Sequence, residues 1–180
     1  MAVMLNQDQF GVLINDLADR LSKIEWYKNA GKSHEQAEAL LRDFMKKLHV
    51  TDYVVKWISK AEAAETISKL RFEESPLWEV LSALPDQFKK KVDERGQGQL
   101  LEKAVDALPE FVFHVAFKRA FSVFQEEKTV RFLTGHAMYI AVLIAAAEIA
   151  GQSELFSPLM ELLEHGHVPL GLEGNVIYLL

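Results

Sequence analysis

The side chains best suited to chemistry in this 180-residue chain gather near its end, at Glu161, Glu164, His165 and His167. Imidazole nitrogens and carboxylate oxygens are the ligands that zinc and iron take. Glu164 and His167 also show the Glu-x-x-His spacing of helical di-iron sites, but that chemistry needs a second copy of the motif, and none is found. A plainer reading accounts for every residue. Histidine is favourable at a helix C-terminus, Gly166 suits the cap, and Pro169 follows beyond it. No metal and no cofactor are therefore expected, and these four residues are the candidates should a metal bind. A second histidine pair, His114 and His136, lies in apolar sequence that could hold haem or a metal. On facing helices joined by their alanines, however, His114 falls about 200° around from Ala116, so the two rings do not converge.

Two phosphate-directed patterns are present in part. Gly31-Lys32-Ser33 resembles the end of a phosphate-binding P-loop, but the full motif needs glycine at the position of Trp26 and a preceding strand. A helix stop followed by a helix cap fits better. The segment 41–59 resembles a helix-turn-helix. Phe44, Leu48, Val50, Val55 and Ile58 fall where such units share a core, and Thr51 would open the recognition helix. Thr51, Tyr53, Lys56 and Lys60 would then face nucleic acid, with Lys46 and Lys47 nearby. Against this, Met45 stands where a small residue is usual and His49 where glycine is usual. Catalysis gains little support, because no convergent Ser, His and acid grouping can be argued from chain order.

Composition narrows the rest. A net charge of −6 gives no global attraction to nucleic acid or anionic membranes. The absence of cysteine excludes disulfides and thiolate chemistry. The N-terminus carries no basic residues ahead of its short apolar run, which argues against a secretory signal, and a cytoplasmic location is expected. Lys89-Lys90-Lys91 reads as a solvated helix face.

The element that must organise the chain is 129–151. Between Ala137 and Ala147 it is apolar, it shows no solvent-facing stripe, and Ala137, Ala141 and Ala145 form a ridge at four-residue spacing. Arg131, Thr134, His136 and Glu148 shorten the clean apolar run to eleven residues, suiting a core helix rather than a membrane span. The five phenylalanines of 109–125 point to a partner helix, with Ala116 and Ala120 meeting the alanine ridge. A link at 126–128 makes the pair an antiparallel hairpin.

Elsewhere, periodicity predicts helices over 8–30 and 34–48, the latter capped by Ser33 with Gln36 three residues on. Another runs from Thr51 to about Leu70, and a fourth starts at Ser75-Pro76 with Leu77, Trp78 and Leu81 on its apolar face. Leu84-Pro85 and Leu108-Pro109 each read as a helix end followed by a helix start. A short helix from Ser157 to about His165 precedes a tail, 168–180, of turn formers and extended-chain residues.

The expected structure is a single all-α domain, a bundle of seven or eight helices around the 109–151 hairpin, with a short extended or β-hairpin C-terminal arm. The function expected is non-enzymatic: an interaction or regulatory protein. Val176, Ile177, Tyr178, Leu179 and Leu180 end the chain without an obvious strand partner, so a second copy or another protein is the expected partner. A helix-turn-helix DNA regulator and a metal- or hydrophobic-ligand-binding protein are the alternatives.

Overall fold

The computed structural model describes residues 5–32, 34–70 and 76–180. The expected caps Ser33 and Ser75, and the side chains of Leu77, Trp78 and Leu81, lie outside what it describes. Among the described residues are seven helices and a three-stranded sheet. The helices are α1 (Gln7–Lys23), α2 (Glu35–Lys47), α3 (Lys60–Lys69), α4 (Pro76–Glu94), α5 (Gly98–Phe124), α6 (Glu127–Ile149) and α7 (Ser153–Glu164). The strands are β1 (Val54–Trp57), β2 (Pro169–Glu173) and β3 (Val176–Leu179). This is the expected helical bundle with a small β arm.

Its centre is the α5–α6 hairpin, the most extensive contact between elements. On α5, Ala104, Leu108, Val112, Ala116 and Ala120 recur every four residues and are fully buried. On α6, Leu133, Ala137, Ala141 and Ala145 do the same. Rows at four-residue spacing are ridges, and small side chains let the two backbones come close. The turn is tight. Gln125 adopts a left-handed conformation, and the Glu126 carboxylate accepts the Thr129 N–H at 2.7 Å to cap α6. On length and composition α6 could cross a membrane, yet here twelve of its residues are buried in the bundle.

Proline did not break the helices where expected. Pro85 and Pro109 lie inside continuous α4 and α5, so each costs a single backbone bond rather than a helix end. Around Pro109, the fully buried Leu108 and Val112 hold α5 to the seam through the weak point. Pro158 likewise sits within α7, which starts earlier than expected, at Ser153. The carbonyl that Pro158 leaves without its helical donor, that of Glu154, instead accepts the Lys47 ammonium at 2.9 Å.

The first helix ends sooner than its periodicity suggests. Beyond Lys23 the chain turns out of helix and buries Ile24, Trp26 and Tyr27. Tyr27 has φ of 63°, an uncommon conformation for a bulky residue. It is held there because its phenol donates to the Leu133 carbonyl at 2.6 Å, in the middle of α6. Gly31 then passes so close to the next segment that a Cβ would lie 2.7 Å from the Ser59 Cα. That close approach, not phosphate, accounts for the glycine of the P-loop-like sequence, and Trp26 is fully buried.

The segment after α2 departs most from expectation. Residues 54–57 form strand β1, and helix α3 starts only at Lys60. Ser59 caps it with Glu62 in a reciprocal capping box. There is therefore no recognition helix opening at Thr51. The physical reason lies in Val-Val-Lys-Trp, whose side chains alternate in burial with period two.

That strand supplies the partner that the C-terminal tail seemed to lack. The sheet order is β1-β3-β2, with β3 parallel to β1 and antiparallel to β2. Val54 to Trp57 pair with Val176 to Leu179 in register, and Val168 and Leu180 exchange both backbone bonds. Ile177, Tyr178, Leu179 and Leu180 are buried, so the arm is an internal strand rather than a free edge.

The seam tolerates no added volume. Ala141→Leu should lower the free energy of unfolding by about 1–3 kcal/mol, read from urea melts at unchanged m-value. A variant as stable as the parent would show that the ridges are not in close contact.

Candidate functional site

With the seam occupying one face of α6, the opposite face decides what the rest of that helix does. Gly135 and Tyr139 stand two residues either side of Ala137, each about 200° around from it. With Arg131 they form an exposed stripe at four-residue spacing, the stripe that the sequence had not disclosed. Beside it, Phe132, His136, Ile140 and Leu143 form one wall of a cavity of about 440 Å³. Leu41, Phe44 and Met45 of α2 and Phe156 and Leu159 of α7 form another. Leu84 of α4 contributes, and residues 169–172 of β2 with Ile177 of β3 complete the enclosure. The aromatic wall is rigid: Phe156 packs on Phe44 and on Phe88, with ring centroids 5.4 and 5.7 Å apart.

Among the described lining residues, only His136, Tyr139 and Arg131 bring a titratable or charged group. His136 Nε2 lies 2.6 Å from the Pro169 carbonyl. A carbonyl can only accept, so Nε2 carries the proton and Nδ1 of the neutral ring keeps its lone pair. The ring stacks on Phe132 at 5.9 Å and 14°. Burial pushes its pKa below the ordinary histidine value, against a smaller upward pull from the Pro169 carbonyl. Tyr139 is half-exposed, and desolvation raises its phenol. Arg131, at the mouth, pairs with Glu127 at 2.6 Å, and both side chains are largely in solvent.

Gly135 has no structural duty that the fold reveals. It sits mid-helix, and a Cβ built there would meet nothing within 4 Å. Glycine costs a helix roughly 0.5–1 kcal/mol relative to alanine, so alanine would suit the helix better there.

The sites expected from the sequence are placed elsewhere. Glu164 pairs with Arg20 at 2.8 Å, and Glu161 is exposed. The His165 carbonyl accepts from Asn29 Nδ2 at 2.6 Å. His167 is 3% exposed, packed edge-on against Trp57, with Nδ1 lacking a partner. Among the described residues, no three such side chains come together as a metal site. His114 is exposed on α5 while His136 faces the cavity, so those rings are separated as the helical geometry required. Of the residues assigned to nucleic acid, Thr51 precedes β1, Tyr53 is half-buried, Lys56 lies 5.7 Å over the Tyr178 ring, and Lys60 begins α3. They do not share a helix.

The phenylalanines that pointed to α5 as the partner helix lie mostly outside the core. Phe113, Phe117 and Phe121 are 40%, 41% and 55% exposed, and their rings stack in sequence at 5.7 and 6.1 Å. Each follows a seam residue by one position and so lies about 100° off the contact line.

No protein-family model matches the chain, and no curated protein or solved structure shows significant similarity to it.

One half-buried and one buried histidine give the fold a pH dependence of definite sign. Desolvation lowers the pKa of both His136 and His167, so below about pH 6.5 the unfolded chain binds more protons than the native one. The melting temperature should therefore fall as pH drops from 7.5 to 5.5, and fall less steeply in His136→Gln. Glu148, whose carboxyl is raised by burial, acts in the opposite sense, but it cancels between parent and variant. Equal slopes for the two proteins would show that His136 is not held neutral.

Proposed function

We propose that this chain is a non-enzymatic binding protein for a small apolar molecule, which it holds in the cavity between α2, α6, α7 and the β2–β3 hairpin. The observation that carries the reading is the cavity's composition: about 440 Å³ walled by aliphatic and aromatic side chains, with the polar side chains among the described lining residues confined to three positions on one helix. Volumes of this order, mostly apolar with few polar contacts, are what small-molecule sites have. The wall favours holding over transforming, since His136 is turned to a backbone carbonyl rather than to an acid or a nucleophile. The test is a neutral fluorescent probe, N-phenyl-1-naphthylamine, against the parent and a filled variant, Leu143→Trp. Micromolar binding by the parent, weakened at least tenfold in a variant that melts no lower, is expected. No binding, or equal binding by both, would refute the assignment.

A second reading has its own observation. The Phe113–Phe117–Phe121 ladder leaves roughly 300 Å² of aromatic surface in water, taking about 200 Å² for each ring side chain. Patches of that size occur on monomers and are often functional. We propose that a second copy of the chain covers it, which moves the expected association from the C-terminal arm to α5. At micromolar concentration the parent should sediment as a dimer and Phe117→Asp as a monomer of unchanged melting temperature, because the site is exposed. A monomeric parent would exclude self-association through this face.

A further inference from the structure

The cavity also shows which end of a ligand would face solvent. Apart from His136, whose Nε2 is taken by the Pro169 carbonyl, its inner walls are hydrocarbon and aromatic, and among the described lining residues the charged one is Arg131, at the mouth on α6. One turn further along is Gly135, where open space replaces a side chain, and one turn beyond that is Tyr139. A guanidinium, a gap and a phenol thus stand in line on the exposed edge of an apolar chamber. Resting on the reading of that chamber as a ligand site, we infer that its occupant is an aliphatic carboxylate, with its chain in the cavity and its head on Arg131 beside the Gly135 gap.

Three features of the site select this chemistry. A planar guanidinium matches a carboxylate through paired N–H donors, and Arg131 is always charged. The Tyr139 hydroxyl, half-exposed one turn from Gly135, is a second donor on the same edge. The acid paired with Arg131 is Glu127, which meets it as an exposed i, i+4 pair, and such pairs are weak enough for a ligand to displace. The Gly135 gap lets the head of the ligand lie against the helix where any larger residue would stand. An alkylammonium would meet Arg131 with like charge, and an alcohol would leave it unused.

The experiment is calorimetric titration with dodecanoate, dodecanol and dodecylammonium below their aggregation concentrations. In the parent, dodecanoate should bind at least tenfold more tightly than the other two. Arg131→Gln should bring dodecanoate down to the dodecanol value while leaving dodecanol unchanged, and Glu127→Gln should tighten dodecanoate alone. Gly135→Leu should weaken dodecanoate at least tenfold and raise the melting temperature of the empty protein, since leucine is the better helix former. Equal binding of dodecanoate and dodecanol, or a preference that survives Arg131→Gln, would overturn the carboxylate assignment and leave the cavity as an apolar site. Failure of all three to bind would overturn the cavity assignment and this inference with it.

Discussion

The close contact between the alanine ridges of α5 and α6 is the constraint from which the rest of the molecule follows. Once Ala116 and Ala120 face Ala137 and Ala141, the orientation of every other residue on both helices is set by 100° steps. On α5 this turns four phenylalanines, Phe111, Phe113, Phe117 and Phe121, toward water. On α6 it turns Arg131, Gly135 and Tyr139 outward and leaves His136 and Ile140 on the flank, where they become a wall. Neither surface was selected by hydrophobicity. Both are consequences of which residues are small enough to form the seam.

The seam alone would leave that flank open. It is closed by pairing across the whole chain: β1, near residue 55, lies parallel to β3, near residue 178. Parallel strands require a long connection, and here α3 to α7 and the β2 strand make it. The arm that looked free in sequence is thus the central strand, and its hairpin partner β2 forms the floor of the cavity through Pro169 to Leu172. Tyr27 acts on the other side, fixing the segment after α1 to the Leu133 carbonyl. The cavity is therefore not a loose end of packing. It is bounded by elements whose positions are fixed from three distant parts of the sequence.

Much of this was legible beforehand. The apolar run of 129–151, the alanine spacing and the short link at 126 identified the hairpin, and the turn formers after Gly166 identified the β arm. What was misread has particular causes. Val54, Val55, Trp57 and Ile58 fit helical spacing as well as strand alternation, and short apolar runs are ambiguous on that point. The Ser59-x-x-Glu62 capping box was the available arbiter, since it starts α3 after the strand. Apolar character alone would turn the phenylalanines of α5 inward, but the neighbouring alanines already fix the inward face. The prolines looked like breaks because propensity is a local quantity, and buried neighbours on α5 override it. The partnership of β1 with β3 had no local signal at all.

The candidate site was the least legible feature, and for a physical reason. A metal or catalytic site announces itself by residue types, which drew attention to the histidines at 165 and 167. A chamber for an apolar molecule is made of the same residues as a core and differs only in what is missing between them. Its one sequence trace is a helix position filled against propensity: Gly135, in a stretch where alanine is otherwise the residue of choice, with no neighbour that demands it. Packing explains a glycine at Gly31, where the Ser59 backbone would meet a Cβ. At Gly135, as at Gly11 in α1, a Cβ would meet nothing within 4 Å, so packing demands neither glycine. At the rim of the apolar cavity, directly between Arg131 and Tyr139, the helix thus carries its least favourable residue, and the proposed ligand site would account for that choice.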